Sequence, residues 1–117
     1  MPLNSIDTPL LASLGRFLDV SAFRQGVIAA NLANVDTPGY RARDINFRKE
    51  LERAGGDSEL PPLVHEVAGL MERPDGNNVS VEREGLLMAQ NQLKFQAGIQ
   101  LLRLEFRRLS TAIREGK

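Results

Sequence analysis

The sequence predicts an all-α protein in which two long terminal helices pack as an antiparallel coiled-coil hairpin, with a turn, a short extended segment and a flexible connector between them. Three observations carry this. Apolar residues recur at alternating three- and four-residue steps near both ends of the 117-residue chain. A proline-glycine turn stops the first pattern, and the stretch before the second pattern is rich in Gly and Pro with no sustained period.

The chain reads as one protomer, and its first helix occupies residues 8–35. Thr8 can cap it, and Pro9 takes a first helical position that needs no N–H partner. Leu11, Leu14, Leu18, Ser21, Gln25, Ile28, Leu32 and Val35 form a seam with two polar members. Val20, Phe23, Val27 and Ala30 make a second row on an adjacent face, so the apolar surface is wider than one partner helix needs.

Residues 36–54 hold a turn, an extended segment and a short helix. Thr37 precedes a proline and is pushed out of the α region, and Thr37-Pro38-Gly39-Tyr40 has the type II β-turn arrangement. Tyr40, Ala42, Ile45 and Phe47 suggest extended chain, and Phe47 with Leu51 suggests one or two helical turns capped by Asn46. Residues 55–78 read as the connector, closing on an Asp75-Gly76 turn.

The second helix occupies residues 79–115, with Ser80 as cap and Glu82 and Glu84 as first-turn acids. Met88, Gln92, Phe95, Ile99, Leu102, Phe106, Leu109 and Ile113 keep strict four- and three-residue steps. Leu86, Leu93, Ala97, Leu101 and Leu104 form another row. A hairpin can bury one stripe per helix, so the surplus predicts packing against other copies or partners. Gly15, Gly26, Gly85 and Gly98 each cost about 1 kcal/mol relative to alanine. They point either to helices that consolidate on assembly or to close helix crossing at glycine.

Composition removes several function classes. Fifteen Lys and Arg balance fifteen Asp and Glu, so no whole-chain field draws the protein to nucleic acid. Without cysteine there are no disulfides or thiolate metal sites. The N-terminus has no basic n-region or sustained apolar run, unlike a Sec signal peptide, and no apolar run nears the roughly 20 residues of a membrane span. The single histidine, His65, stands beside Glu66 with no second ligand, and no nucleophile, phosphate-loop or zinc-protease motif occurs. An enzyme is not expected, nor any cofactor, metal or small-molecule substrate. Arg103, Arg107, Arg108 and Arg114 are interrupted by Glu105 and Glu115 and suit a solvated or ion-paired last turn.

The stretch "AANLANVDTPGYRARDINF", residues 29–47, is more specific than a helix exit requires. Asn34 can close the helix and Asp36 can make an Asx-turn. Asn31 and Asn34 lie on nearly the same face, so two amides project together. Arg41, Arg43 and Arg48 alternate with Asp44 and Glu50, a pattern that suits paired charges at an interface.

This stretch closely resembles the signature region of flagellar basal-body rod proteins, and together with "DGNNVSVEREGLLMAQNQLKFQAGIQLL", residues 75–102, it is similar to the proximal-rod branch. The resemblance implies a non-enzymatic structural protomer of the rod, with both terminal helices in the inner layer of a helical tube. It implies export by the flagellar type III apparatus into the periplasmic space, where composition alone would say cytosol. Implied partners are other copies, other rod subunits, the adaptor to the membrane ring, and the export gate. The resemblance puts Asn31, Asn34, Thr37, Gly39 and Tyr40 on signature positions, with Asp36 and Pro38 matching the proximal form and Arg43 and Asp44 in its continuation; the implied role is subunit packing. Phe23 with Val27 fits the form of an export-recognition element, a spacing that core packing also produces. The connector is short for this branch, which argues against an inserted outer domain. A cytosolic helical adaptor and another axial subunit, such as the distal rod, are the competing readings.

Overall fold

Capping chemistry sets where each helix begins. The Thr8 hydroxyl accepts the Leu11 N–H at 3.1 Å and Pro9 opens α1 (Pro9–Ala33). Asn46 accepts from Lys49 N at 3.0 Å and opens α2 (Phe47–Glu52). Ser80 accepts from Arg83 N at 3.2 Å and opens α3 (Val81–Glu115), whose first turn carries Glu82 and Glu84. The structure, a computed structural model, describes residues 8–53 and 60–116. The beginning of the N-terminal stretch read for a signal peptide, residues 1–7, and residues 54–59, which end the preceding segment and begin the connector, lie outside the described residues, as does residue 117.

The protein is mostly helical, with α1 and α3 packed together over a small sheet. Asn31 meets Glu84, Ser21 and Gln25 meet Asn91, and Leu18 with Phe17 meets Gly98, so the two helices run in opposite directions. At Gly98 they come so close that a β-carbon would stand 2.8 Å from Leu18 Cδ2 and 3.0 Å from Phe17 Cδ1. Of the two readings for the interior glycines, close crossing holds at Gly98. Around Gly15, Gly26 and Gly85 the space is open.

Beta strand β1 (Arg43–Ile45) pairs antiparallel with β2 (Val64–Glu66), with Arg43 opposite Glu66, Asp44 opposite His65 and Ile45 opposite Val64. This corrects the expectation of a loop or flexible connector: its middle folds back and supplies a strand. The reason is unsatisfied backbone, because Ala42 C=O and the Val67 N–H also pair, at 2.9 Å, just outside the ladder. No sequence period announces a three-residue strand whose side chains are all exposed.

The core sits between α1, α3 and the sheet. Val20 and Ile28, 0% and 1% exposed, contribute about 1.5–3 kcal/mol each through burial. Leu14, Ala42, Ile45 and Val79 complete the buried apolar set. On α1 the buried Leu14, Ser21 and Ile28 repeat every seven residues, with the half-buried Leu11, Leu18 and Leu32 to one side.

On α3 the buried line is Glu84, Asn91, Gly98 and Glu105, again seven apart, and none of these is a large apolar residue. Met88, Phe95, Leu102 and Leu109, the half of the expected seam nearest this line, are half-buried, as is Ile99. Phe106 and Ile113 are exposed, and so is the row Leu86, Leu93, Leu101 and Leu104. The helix is thus turned about a quarter turn from an arrangement centred on its apolar steps. A close approach at Gly98 and polar pairing at Glu84 and Asn91 set that orientation. Among the described residues no helix is long and apolar enough to cross a membrane.

Candidate functional site

The signature residues converge where α1 ends and α3 begins. Asn31, 0% exposed, uses its whole carboxamide. Its oxygen accepts the Arg43 N–H at 3.0 Å and the Tyr40 hydroxyl at 3.1 Å; its nitrogen donates to Arg43 C=O at 2.8 Å and to Glu84 Oε1 at 2.8 Å. Toward Arg43 the amide acts as a peptide group, pairing both N–H and C=O of one residue. Aspartate has no N–H to offer, and leucine has neither group. One side chain therefore ties together α1, the turn, β1 and α3.

Expected to face a neighbouring subunit, Asn31 is instead fully engaged inside the protomer. Asn34 acts locally as the C-cap of α1: its nitrogen donates to Ala30 C=O at 2.8 Å and its oxygen accepts the Thr37 hydroxyl at 3.0 Å. Thr37-Pro38-Gly39-Tyr40 closes with Tyr40 N–H on Thr37 C=O at 3.2 Å and Gly39 at φ +76°, the left-handed value that a type II turn requires at that position. Pro38 is exposed at its corner. Asp36 is exposed and makes no side-chain hydrogen bond among the described residues; the Asx-turn expected of it is made by Asp75, whose Oδ1 accepts Asn77 N at 3.0 Å.

A second turn locks onto the first. Gly39 N–H donates to Asp75 C=O at 2.9 Å, and Gly76, at φ +86°, would place a β-carbon 3.4 Å from Gly39 Cα. The side chain of Asn77 then caps α1 from across the chain, its nitrogen reaching Asn34, Val35 and Thr37 carbonyls at 3.0, 3.1 and 2.8 Å. The Val35 carbonyl has no backbone partner among the described residues, while the Asn34 and Thr37 carbonyls, which already accept the Thr37 and Tyr40 N–H groups, take the amide on a second lone pair. The Asn77 oxygen accepts Val79 N at 2.7 Å. Arg73 donates to Val35 C=O and, at 3.0 Å, to Val79 C=O. Asn78 Oδ1 accepts Ala42 N at 2.6 Å. Asp75-Gly76 is legible in the sequence as a turn, whereas the roles of Arg73, Asn77 and Asn78 are not. Two adjacent asparagines after Asp-Gly were the available signal, but their partners lie about 40 residues away.

The Arg-rich continuation is held by one face of α1. Phe17, Arg24 and Asn31, seven apart, grip successive parts of the returning chain. Asn31 holds Arg43; Arg24 makes a two-pronged ion pair with Asp44, Nε to Oδ1 and a terminal nitrogen to Oδ2, both at 2.9 Å; Phe17 meets Phe47 edge-on with centroids 5.3 Å apart. Lys94 Nζ covers the Phe47 ring from α3 at 4.7 Å. Arg43 itself projects to solvent, and Arg48 makes an exposed pair with Glu52 at 3.4 Å.

Beyond Phe47 lies a buried carboxylate. Burial pushes Glu50 up, but the Leu63 N–H at 3.0 Å, Arg53 at 2.8 Å and Arg16 at 3.6 Å outweigh it and leave the carboxyl below its ordinary range. Glu50 thereby fastens α2 to α1 and to the segment entering β2. Phe23 and Val27 lie half-buried on another face of α1, beside a shallow groove of about 400 Å³ shared with Tyr40, Arg43 and Val64. His65 is exposed on β2, and among the described residues no group of acids and histidine could hold a metal ion. The whole arrangement joins one segment of the chain to another.

A family profile described as "Flagella basal body rod protein" matches residues 21–41, the second half of α1 and its turn. The chain is 34% identical to the flagellar basal body rod protein FlgB of Salmonella typhimurium over 85% of this chain and 88% of that protein. It is 32% identical to FlgB of Escherichia coli K12 over the same shares, and 27% identical to FlgB of Bacillus subtilis over 97% of this chain and 99% of that one. The matched span takes in the knot of paired turns as well as both helices that it joins, and on that identity and coverage the chain belongs to the FlgB family of flagellar basal-body rod proteins, structural subunits of the rod.

Proposed function

We propose that the protein is a protomer of the proximal rod, polymerising through its terminal helices into the shaft that carries torque from the membrane ring to the hook. The observation that carries this is the inverted burial on α3: the protomer closes over Glu84, Asn91, Gly98 and Glu105 and leaves Leu86, Leu93, Leu101 and Leu104 in solvent. Four leucines on a free helix are area for neighbours. The α1–α3 pair serves as an antiparallel coiled-coil hairpin in the inner layer of a tube. Neighbours are other copies, other rod subunits and the adaptor to the membrane ring.

In this reading the signature motif acts on assembly through shape. Asn31, Asn34, Thr37, Gly39 and Tyr40 build a rigid end, with Arg24–Asp44 behind it, and the end presents Asp36, Pro38 and Arg43 to adjacent subunits. The protein reaches the periplasmic space through the flagellar type III export gate, with Phe23 and Val27 as a recognition element, and it has no catalytic role. Deleting the gene and imaging basal bodies tests the assignment. Rods should be missing and should return with the wild-type gene; intact rods and normal motility in the deletion would sink it.

A further inference from the structure

At the Gly98 crossing a cleft of about 310 Å³ opens among all three helices, walled by Leu14, Phe17, Leu51, Ala97 and Leu101, with Ser13 and Arg16 as its polar lining. The Arg16 side chain is only 9% exposed. Its Nε and Nη2 are buried without a hydrogen-bond partner, and Nη1 is not among the buried atoms. The one carboxylate within 4.0 Å among the described residues, that of Glu50 at 3.6 Å, is already engaged. Arg53 donates twice to its Oε1, at 3.1 and 2.8 Å, and the Leu63 N–H holds Oε2 at 3.0 Å. Two guanidinium groups therefore share one carboxylate. The other charges nearby do not make up the difference: Asp19, one turn along α1, is exposed and farther than 4.0 Å from Arg16, Glu52 pairs with Arg48, and Lys94 adds a further positive charge over Phe47.

We propose that this cleft is a binding site for a carboxylate carried on an apolar stem, the carboxylate meeting the Arg16 guanidinium and the stem lying against Leu14, Leu51 and Leu101. A guanidinium drawn out of water without acceptors is costly, and its planar fork of N–H donors matches a carboxylate. Packing of the arginine stem alone does not require the charge. With a ligand seated, two guanidinium groups face two carboxylates, and the Ser13 hydroxyl on the rim offers one more donor. A single surplus charge among apolar walls suits a monoanion with a stem, whereas phosphate brings more charge and no apolar part. Two sources share this chemistry: a free aliphatic acid, or an acidic side chain of a neighbouring polypeptide entering past the exposed Ala97 and Leu101. Only the second source rests on the rod-subunit reading; the site itself does not.

The test uses the full chain, labelled with nitrogen-15 for NMR. Titrated sodium hexanoate should shift the Arg16 Nε–H resonance and the amides of Ser13, Leu51 and Leu101 until they saturate. Acetate, which lacks the stem, should bind at least tenfold more weakly, and hexanamide, which lacks the charge, should give no saturation. Arg16→Met should weaken hexanoate binding at least tenfold with helicity unchanged by circular dichroism. Leu101→Ser, on the rim, keeps the test open if that variant misfolds: it should weaken hexanoate at least threefold and leave acetate as it was. Asp19→Asn should change neither. Absence of a saturable shift at Arg16, equal binding of hexanamide, or undiminished hexanoate binding by folded Arg16→Met overturns the proposal. Basal bodies from the deletion strain then distinguish the sources. If wild type restores rods and folded, exported Arg16→Met does not, the carboxylate belongs to a neighbour; if both restore rods equally while hexanoate saturates the wild type, it belongs to a free acid. If rods never needed the gene, the rod reading falls and the site still stands on hexanoate binding.

Discussion

At the turn end of the molecule buried amides tie distant segments of the chain together; at the far end of α3 apolar side chains are exposed. Around Asn31 and Asn77 the amides each join three or more backbone or side-chain groups distant in sequence. From Leu101 to Gly116 only Glu105 is buried, and its carboxylate is held by Arg108 at 2.7 Å, which lowers the carboxyl's pKa and raises that of the arginine. The contrast teaches that the protomer is held together chiefly at one end. Satisfied hydrogen bonds give that end a single geometry, while surface for neighbours is kept at the other.

The largest effect should come from Asn31→Leu, which strands the Arg43 N–H, the Tyr40 hydroxyl and one oxygen of Glu84. At about 1–3 kcal/mol for each buried group left unpaired, the variant should lose at least about 3 kcal/mol, read from urea unfolding. Asn31→Asp sets a carboxylate against Glu84, and Glu84→Gln should recover part of the loss, a coupling that a double-mutant cycle measures. Next, Gly98→Ala gains about 1 kcal/mol of helix propensity but pushes on Leu18 and Phe17, an overpacking cost of about 1–3 kcal/mol. It should be neutral to destabilising. Gly85→Ala, in open space on the same helix, should stabilise by about 1 kcal/mol. Equal thermal shifts for the two would remove the claim of close crossing.

Glu50 gives the comparison a pH axis. Its folded pKa lies below the ordinary carboxylate value, so the stability it contributes is fully present at neutral pH and is lost as pH falls from the ordinary carboxylate range through the lowered folded value. Glu50→Gln should therefore melt lower than wild type at pH 7, with the gap closing as pH drops through that range; a gap that persists in acid would assign it to packing alone. Smallest of all, Leu93→Ser on the exposed row should change protomer stability by no more than about 0.5 kcal/mol while reducing assembly. A large loss of stability would mean that this row is covered within the protomer.

Helix ends were readable because capping is local: Thr8, Asn46 and Ser80 each accept from a residue three positions ahead. The turn was readable because Pro38 and Gly39 satisfy its dihedral angles by themselves. The strand at Val64–Glu66 was not, since its partner is about 20 residues back and its exposed side chains leave no alternation. Nor was the use of Asn77, a residue late in the connector that fills a need created about 40 residues earlier, at the end of α1.

The sequence by itself determined two long amphipathic helices, the place where the first one stops, the turn that stops it, and a surplus of apolar rows. Only the tertiary structure decided which rows are used. Periodicity records that a face is apolar but not which neighbour covers it. The orientation of α3 was set by Gly98, where a β-carbon would collide with the side chains of Leu18 and Phe17, and by Asn31 and Asn91, whose amide nitrogens pair across the two helices. Those constraints outrank the leucines within one protomer because an unpaired buried amide costs free energy wherever it sits, whereas an exposed leucine can still be buried by the next subunit.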